Sequence, residues 1–122
     1  MPKRIAAQNI RLKRAYQPAA ADDGLRILVD RLWPRGLKKS DAGIDRWIKD
    51  IAPGTALRKW FGHDPGRWLE FRRRYAAEIR RQPDQLEALR TLARKGPVTL
   101  VFSARDELHN DAVVLRNVLL GR

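Results

Sequence analysis

Val98-Thr99-Leu100-Val101-Phe102, set between Gly96-Pro97 and Ser103-Ala104-Arg105-Asp106, is the stretch that decides the fold. It is short, uncharged, rich in β-branched residues and bounded by chain breakers. That pattern predicts a strand buried on both faces, the kind found inside parallel sheets. Leu25-Arg26-Ile27-Leu28-Val29-Asp30 reads the same way with one charge inside it, and predicts a second central strand. Ile10-Arg11-Leu12-Lys13-Arg14-Ala15-Tyr16 alternates apolar and basic residues, which predicts a third strand with one wet face.

Between the second and last strands the punctuation changes to that of helices. Ser40 or Asp41 can cap a short element near Ile44–Lys49 whose type the sequence leaves open. Pro53-Gly54-Thr55 opens a short helix to Phe61, with Thr55 as the expected N-cap, and Gly62-His63 ends it. Asp64-Pro65 combines a capping carboxylate with proline at the first helical position, and predicts a helix to about Arg81. Trp68, Phe71, Tyr75 and Ile79 fall on its inner face. Pro83 opens another helix to Lys95, with Leu86, Leu89 and Ala93 inward. Asn110 or His109 begins a last one through Leu120, with Ala112, Leu115 and Leu119 in one stripe.

The order is therefore roughly β-β-α-α-α-β-α. Helices between apolar strands imply crossovers and parallel pairing. The expected fold is α/β: a single small domain over residues 1–122, a mainly parallel sheet flanked by helices in two or three layers. Ligands in such sheets sit at the carboxyl ends of the strands. The loops after Asp30 and Phe102 should meet there.

Composition narrows the function classes. There is no cysteine, so disulfides, thiolate nucleophiles and sulfur-ligated zinc are absent. The N-terminal stretch is basic without an apolar core, unlike a signal peptide, and no apolar run could span a bilayer. A cytoplasmic location and no membrane partner are expected. The formal net charge is +12, concentrated in residues 1–14, 26–39 and 67–95. A field of that sign attracts phosphates and nucleic acids, and it also serves solubility.

Asp30-Arg31-Leu32-Trp33-Pro34-Arg35-Gly36 is the first candidate site. Arg31 and Arg35 suit bidentate binding of phosphate or carboxylate. Trp33 can stack on a base, a sugar or a guanidinium plane, and Asp30 can orient an arginine or act as a base. The structural alternative is an internal salt bridge with a core tryptophan. The second candidate is Ser103-Ala104-Arg105-Asp106 with His109-Asn110, where the amides opening the last helix, the Ser103 hydroxyl and Arg105 can receive an anion. Ser103, His109 and Asp106 also invite a triad reading, but no nucleophile elbow surrounds Ser103. Asn110 is most simply a helix cap.

Two further features weigh less. His63-Asp64 could ligate a metal, but the chain has only two histidines, so no metal site is expected. Arg72-Arg73-Arg74 with Arg67, Arg80 and Arg81 fans around a helix rather than lining one groove, and should pair largely with Glu70 and Glu78. No Walker, dinucleotide or carboxylate-cluster motif is present, so no cofactor is expected.

Ile27-Leu28-Val29-Asp30-Arg31-Leu32-Trp33-Pro34-Arg35-Gly36 is also a family signature. With Lys39, Trp47, Ala52-Pro53, Leu57-Arg58, Trp60-Phe61, His63-Asp64-Pro65, Phe71, Tyr75, the run Val98–Asp106, Asn110 and Ala112, it resembles the YeaO-like branch of the family known as domain of unknown function 488. The resemblance runs from about Ile10 to Leu120. It implies a small α/β domain and a site at the same two loops, without an assigned activity. Distant members carry cysteines after the last strand and at the start of the last helix. Ser103 and His109-Asn110 stand in that region here, so thiol and metal chemistry does not carry over.

The reading that results is a basic pocket for a small phosphate-bearing ligand such as a nucleotide. Arg31, Trp33, Arg35, Ser103, Arg105 and Asn110 would bind it, and Asp30, Ser103 and Asp106 are the candidates if there is catalysis. A nucleic-acid-binding module using the basic surface is the alternative. Turnover and oligomeric state stay open.

Overall fold

Four strands among the described residues form one parallel sheet: β1 (Ile10–Arg14), β2 (Leu25–Leu28), β3 (Arg46–Trp47) and β4 (Val98–Phe102). Their spatial order is β1-β4-β2-β3. The computed structural model describes residues 5–122, so Lys3 and Arg4 of the basic N-terminal stretch lie outside the described residues. As its sequence predicts, β4 is central and all five of its residues are buried. Leu100 sits opposite Leu12 on one side and Ile27 on the other.

Strand alternation sorts the side chains onto two faces. Ile10, Ile27, Val29, Val98, Leu100 and Phe102 belong to the main core. Over them lie α2 (Thr55–Phe61), α3 (Trp68–Arg80), α4 (Pro83–Lys95) and α5 (Asp111–Leu119). The expected stripes are the buried ones, except that Trp68 at the start of α3 is only half-buried: Phe71, Tyr75 and Ile79 on α3, Leu86, Leu89 and Ala93 on α4, Ala112, Leu115 and Leu119 on α5. The opposite face carries a thinner cluster of Ala15, Leu28 and Val101, covered by Trp33, Leu37, Ile44 and Trp47. This cover comes from the segment around the one-turn helix α1 (Lys39–Ala42), so the long helices lie in a single layer.

Several boundaries differ from the sequence expectation. The uncertain element near residue 44 contains β3, which hydrogen-bonds along β2 and adds a fourth strand. Two residues are too few for a period to be visible. Thr55 is the first residue of α2 and not its cap; Gly54 holds that position. Asp64 does cap, its carboxylate accepting from the Gly66 amide, but the turn it opens is a 3-10 turn before α3 begins at Trp68. Asn110 caps α5 through the Val113 amide.

The second face also holds a charge cluster that the strand pattern hides. Arg26 is 2% exposed, in the middle of β2. Its guanidinium meets Asp23 at 2.7 Å and donates to the carbonyls of Ala42 and Gly43 at 3.1 Å. Lys13 reaches the same carboxylate at 3.1 Å. The Thr99 hydroxyl on β4 donates to the Asp23 carbonyl at 2.7 Å. Burial pushes the Asp23 carboxyl up, but the Ala20 amide, Arg26 and Lys13 outweigh it and hold the pKa below its ordinary 3.8. Gly24 follows with φ +63, and a Cβ there would lie 2.0 Å from the Pro97 carbonyl oxygen. Only glycine lets β2 start this close to the turn that feeds β4.

Asp23→Ala strands a buried guanidinium, so it should cost about 3–5 kcal/mol. Asp22→Ala removes only the exposed pair with Arg11 and should stay within about 0.5 kcal/mol of wild type. Urea denaturation of the two variants checks the contrast. Equal losses would mean that the Asp23 cluster does not anchor β2.

Candidate functional site

The ends of β2 and β4 are tied together by one carboxylate. Val29 still donates to the Val101 carbonyl at 3.2 Å, and then the backbone of the second strand turns away. The Asp30 side chain takes over as acceptor. Its Oδ2 receives the Ser103 amide at 2.9 Å and the Ser103 hydroxyl at 2.8 Å. From the other side, Arg14 donates to the carbonyls of Ala104 and Ser103 at 2.8 and 3.2 Å. The chain leaving β4 is thus held on both flanks, where the two loops were expected to meet.

Above these ends lies a cleft of about 440 Å³. Asp30, Ser103, Asn110 and Asp111 line it together with Phe61 and Phe71, whose rings stack at 4.2 Å. Arg31, Arg35, Arg58 and His63 line it too, with Tyr16, Leu32 and Trp33. Depth follows from exposure. Asp30, Ser103 and Asp111 are half-buried and Asn110 is buried, whereas Arg35, Arg58, His63, Tyr16 and Leu32 are exposed. Carboxyls therefore form the floor and guanidinium groups the mouth.

Asp111 opens α5 and lines the cleft floor with Asp30. Burial, and then the negative charge of Asp30, push its carboxyl well above the ordinary 3.8. An acid buried beside a second acid ionises at a cost, so Asp111 keeps its proton to higher pH than a free carboxyl does. Its own Oδ1 accepts from the Ala112 amide at 2.9 Å. Beneath the floor, the buried Tyr75 hydroxyl donates to the Ile51 carbonyl at 2.6 Å, which fixes the segment leading to Ala52 and Pro53 of the cleft wall. Burial and the carboxyls nearby push the Tyr75 hydroxyl up, so it stays a neutral donor.

The arginines differ in how far they are engaged. Arg31 donates to the carbonyls of Pro53 and Ala52, both at 3.4 Å, longer than an ordinary bond. Arg31 makes no salt bridge among the described residues, so the internal ion pair considered from sequence is not formed there. Arg35 and Arg58 have no side-chain hydrogen bond or ion pair among the described residues. His63 sits at φ +57, the one described residue other than glycine with positive φ. That conformation costs about 1–2 kcal/mol and turns the chain sharply at the cleft mouth.

The sequence candidates separate accordingly. Asp30, Arg31, Trp33, Arg35, Ser103 and Asn110 converge on the cleft; Arg105 and Asp106 do not line it. Both Ser103 donors are spent on Asp30, and the Asn110 carboxamide is spent as a cap. Asp106 instead accepts from the amides of Leu108 and His109, and its carboxylate lies 2.9 Å from the His109 ring. That hydrogen bond to His109 holds Asp106 below its ordinary value. Ser103 turns to Asp30 rather than His109, so no triad is assembled. Trp33 donates its ring N–H to the Leu37 carbonyl at 2.6 Å and packs edge-on against Trp47. It shapes the wall more than it offers a free face. The groups that sequence reasoning missed are Asp111 and Arg58. An acid at the first helical position is ordinary, and Arg58 is one arginine among many.

The fold and cleft define a parallel α/β domain with an ionic pocket at the carboxyl ends of its strands. The chain belongs to the DUF488 family: residues 9–122 match the family model described as "Inactive DUF488-N3 subclade". It is 46% identical over 111 residues to the uncharacterized protein YeaO of Escherichia coli (strain K12), covering 91% of this chain and 96% of that one. It is 41% identical over 118 residues to the uncharacterized protein Rv3073c of Mycobacterium tuberculosis (strain H37Rv), covering 97% and 99%. No solved structure matches it. Among the described residues no helix is long and apolar enough to cross a membrane, and no cluster of ligating side chains could hold a metal ion.

Because the folded state holds the Asp111 proton more tightly than the unfolded chain, stability falls as pH rises from about 4 toward the raised value. Asp111→Asn removes this dependence. Its melting temperature should exceed that of wild type at pH 8, and the gap should close on acidification to pH 4. A gap that is flat or that widens at low pH would show that this carboxyl is not held protonated.

Proposed function

We propose that the cleft binds a small phosphate-bearing ligand and that it does so without turnover. The observation that carries this reading is the set of unspent guanidinium groups at the mouth: Arg35 and Arg58 have no partner among the described residues, and Arg31 has only two long bonds. Arginine suits phosphate because its planar fork can donate two parallel bonds to one phosphate group. A cleft of about 440 Å³ is in the usual range for small-molecule sites.

Binding without turnover fits the floor. Its hydroxyl is bonded to Asp30, and the Ser103, Ala112 and Val113 amides are spent, so Ser103 is not poised as a nucleophile. The family description, which names an inactive subclade, points the same way. Arg31, Arg35 and Arg58 grip the phosphate, Trp33 shapes the wall, and Ser103 and Asn110 hold the floor in place.

A second reading, a nucleic-acid surface, has one observation in its favour. Trp60 lies between Arg67 and Arg74, whose guanidinium groups sit 5.3 and 4.6 Å from its ring. Against it, Arg73 and Arg74 are already paired with Glu70, so the arginine run is partly neutralised. That pairing holds the Glu70 carboxyl down at about 2.

Titration calorimetry with methyl phosphate and with a short oligonucleotide, at low and moderate salt, separates the two readings. The pocket predicts binding of methyl phosphate that weakens about tenfold or more in Arg58→Ala, the worth of one charge-assisted bond. The surface predicts oligonucleotide binding alone, with a steep salt dependence shared across many basic residues.

A further inference from the structure

The cleft is graded in charge, and the grade says which way round a ligand sits. Arg35 and Arg58 are exposed at the mouth, whereas Asp30 and Asp111 lie half-buried below them at the strand ends. Both acids line the same floor, so it is acidic and disfavours a phosphate there. The anionic group must therefore stay at the mouth, and whatever enters deeper has to satisfy the carboxyls.

The floor's remaining hydrogen-bonding capacity is narrow. Asp30 Oδ2 is occupied by the Ser103 amide and hydroxyl, and Asp111 Oδ1 by the Ala112 amide. The second oxygen of each carboxyl takes no backbone amide or hydroxyl among the described residues, so the floor can still accept from a ligand. A pair of adjacent hydroxyls matches this, since each hydroxyl both donates and accepts. The wall beside the floor includes the stacked, largely buried pair Phe61 and Phe71, so the little surface they show there is apolar. A bare inorganic phosphate has nothing to offer the floor, and a nucleic-acid strand bound along the surface would not reach it.

We infer that the ligand is a sugar monophosphate with free vicinal hydroxyls, alone or carrying a base, seated with its phosphate on the mouth arginines and its hydroxyls on Asp30 and Asp111. This rests on the phosphate-pocket reading above and names its ligand class.

The test compares matched pairs by titration calorimetry: ribose 5-phosphate against 2-deoxyribose 5-phosphate, and AMP against dAMP, with methyl phosphate as the reference for the mouth alone. In at least one pair the member with both hydroxyls should bind about tenfold tighter, and that ratio should collapse toward one in Asp111→Asn. The thermal melt of this variant shows that it is folded. If methyl phosphate binds but neither pair shows a preference, the floor inference is overturned and the phosphate pocket stands. A preference that survives in Asp111→Asn also overturns it, because the hydroxyls are then read elsewhere. If no phosphate compound binds, both readings fall.

Discussion

The rest of the molecule depends on β4 being paired along both edges. A strand with every residue buried must place all of its amides and carbonyls on neighbouring strands, because water cannot reach them. β1 and β2 supply those partners, both parallel to it. Parallel pairing brings the carboxyl ends of β2 and β4 to the same edge of the sheet, and the cleft follows from that. Where the second strand stops, Asp30 continues its role with a side chain, so a fold-building bond and the floor of the site are the same contact. A residue in that position cannot be judged purely structural or purely functional from its type alone.

How much of this was legible before the structure depended on the length of each signal. The run Val98–Phe102 and the helix Pro83–Lys95 were readable to the residue, since both are long, periodic and bounded by Gly or Pro. The two-residue β3 was not, because a period needs more residues than it has. The loop after Asp30 was readable as a site through its dense Arg-Trp-Pro-Arg-Gly chemistry. Asp111 was invisible: an acid just after an Asn cap is what any helix start favours. Only the approach of the second strand's end to α5 makes it one member of a carboxyl pair. Arg26 was hidden for the opposite reason. A charge in a central strand reads as exposed, until Asp23 and the backbone carbonyls of Ala42 and Gly43 are found around it.

The high positive charge also divides into distinct uses. Arg14, Arg26, Arg90 and Arg116 all donate to backbone carbonyls from half-buried or buried positions. Arg90 satisfies the carbonyls of Val118 and Leu119 at the end of α5, and Arg116 ties that helix to Ile10 at the start of β1. A guanidinium with five donors can close several such gaps at once, which a lysine cannot. Arg73 and Arg74 are spent on Glu70. The net charge of +12 therefore says little about partners by itself. What bears on function is where a guanidinium is left unspent, and Arg35 and Arg58 are such groups beside a cavity.

The carboxyl pair makes that placement more specific. An anion pocket built only to attract phosphate would have no use for acids at its base, since each weakens the field of the arginines above it. Asparagine at either position could hydrogen-bond the same neighbours without the cost of crowding two acids. The pair instead turns a uniformly positive cleft into one with opposite signs at its two ends. On the proposed reading, such a cleft would orient a ligand as well as hold it, with the charged end kept outward and the hydroxyl-bearing end drawn in. The physical task of such a cleft, on that same reading, would be to distinguish one phosphorylated small molecule from another.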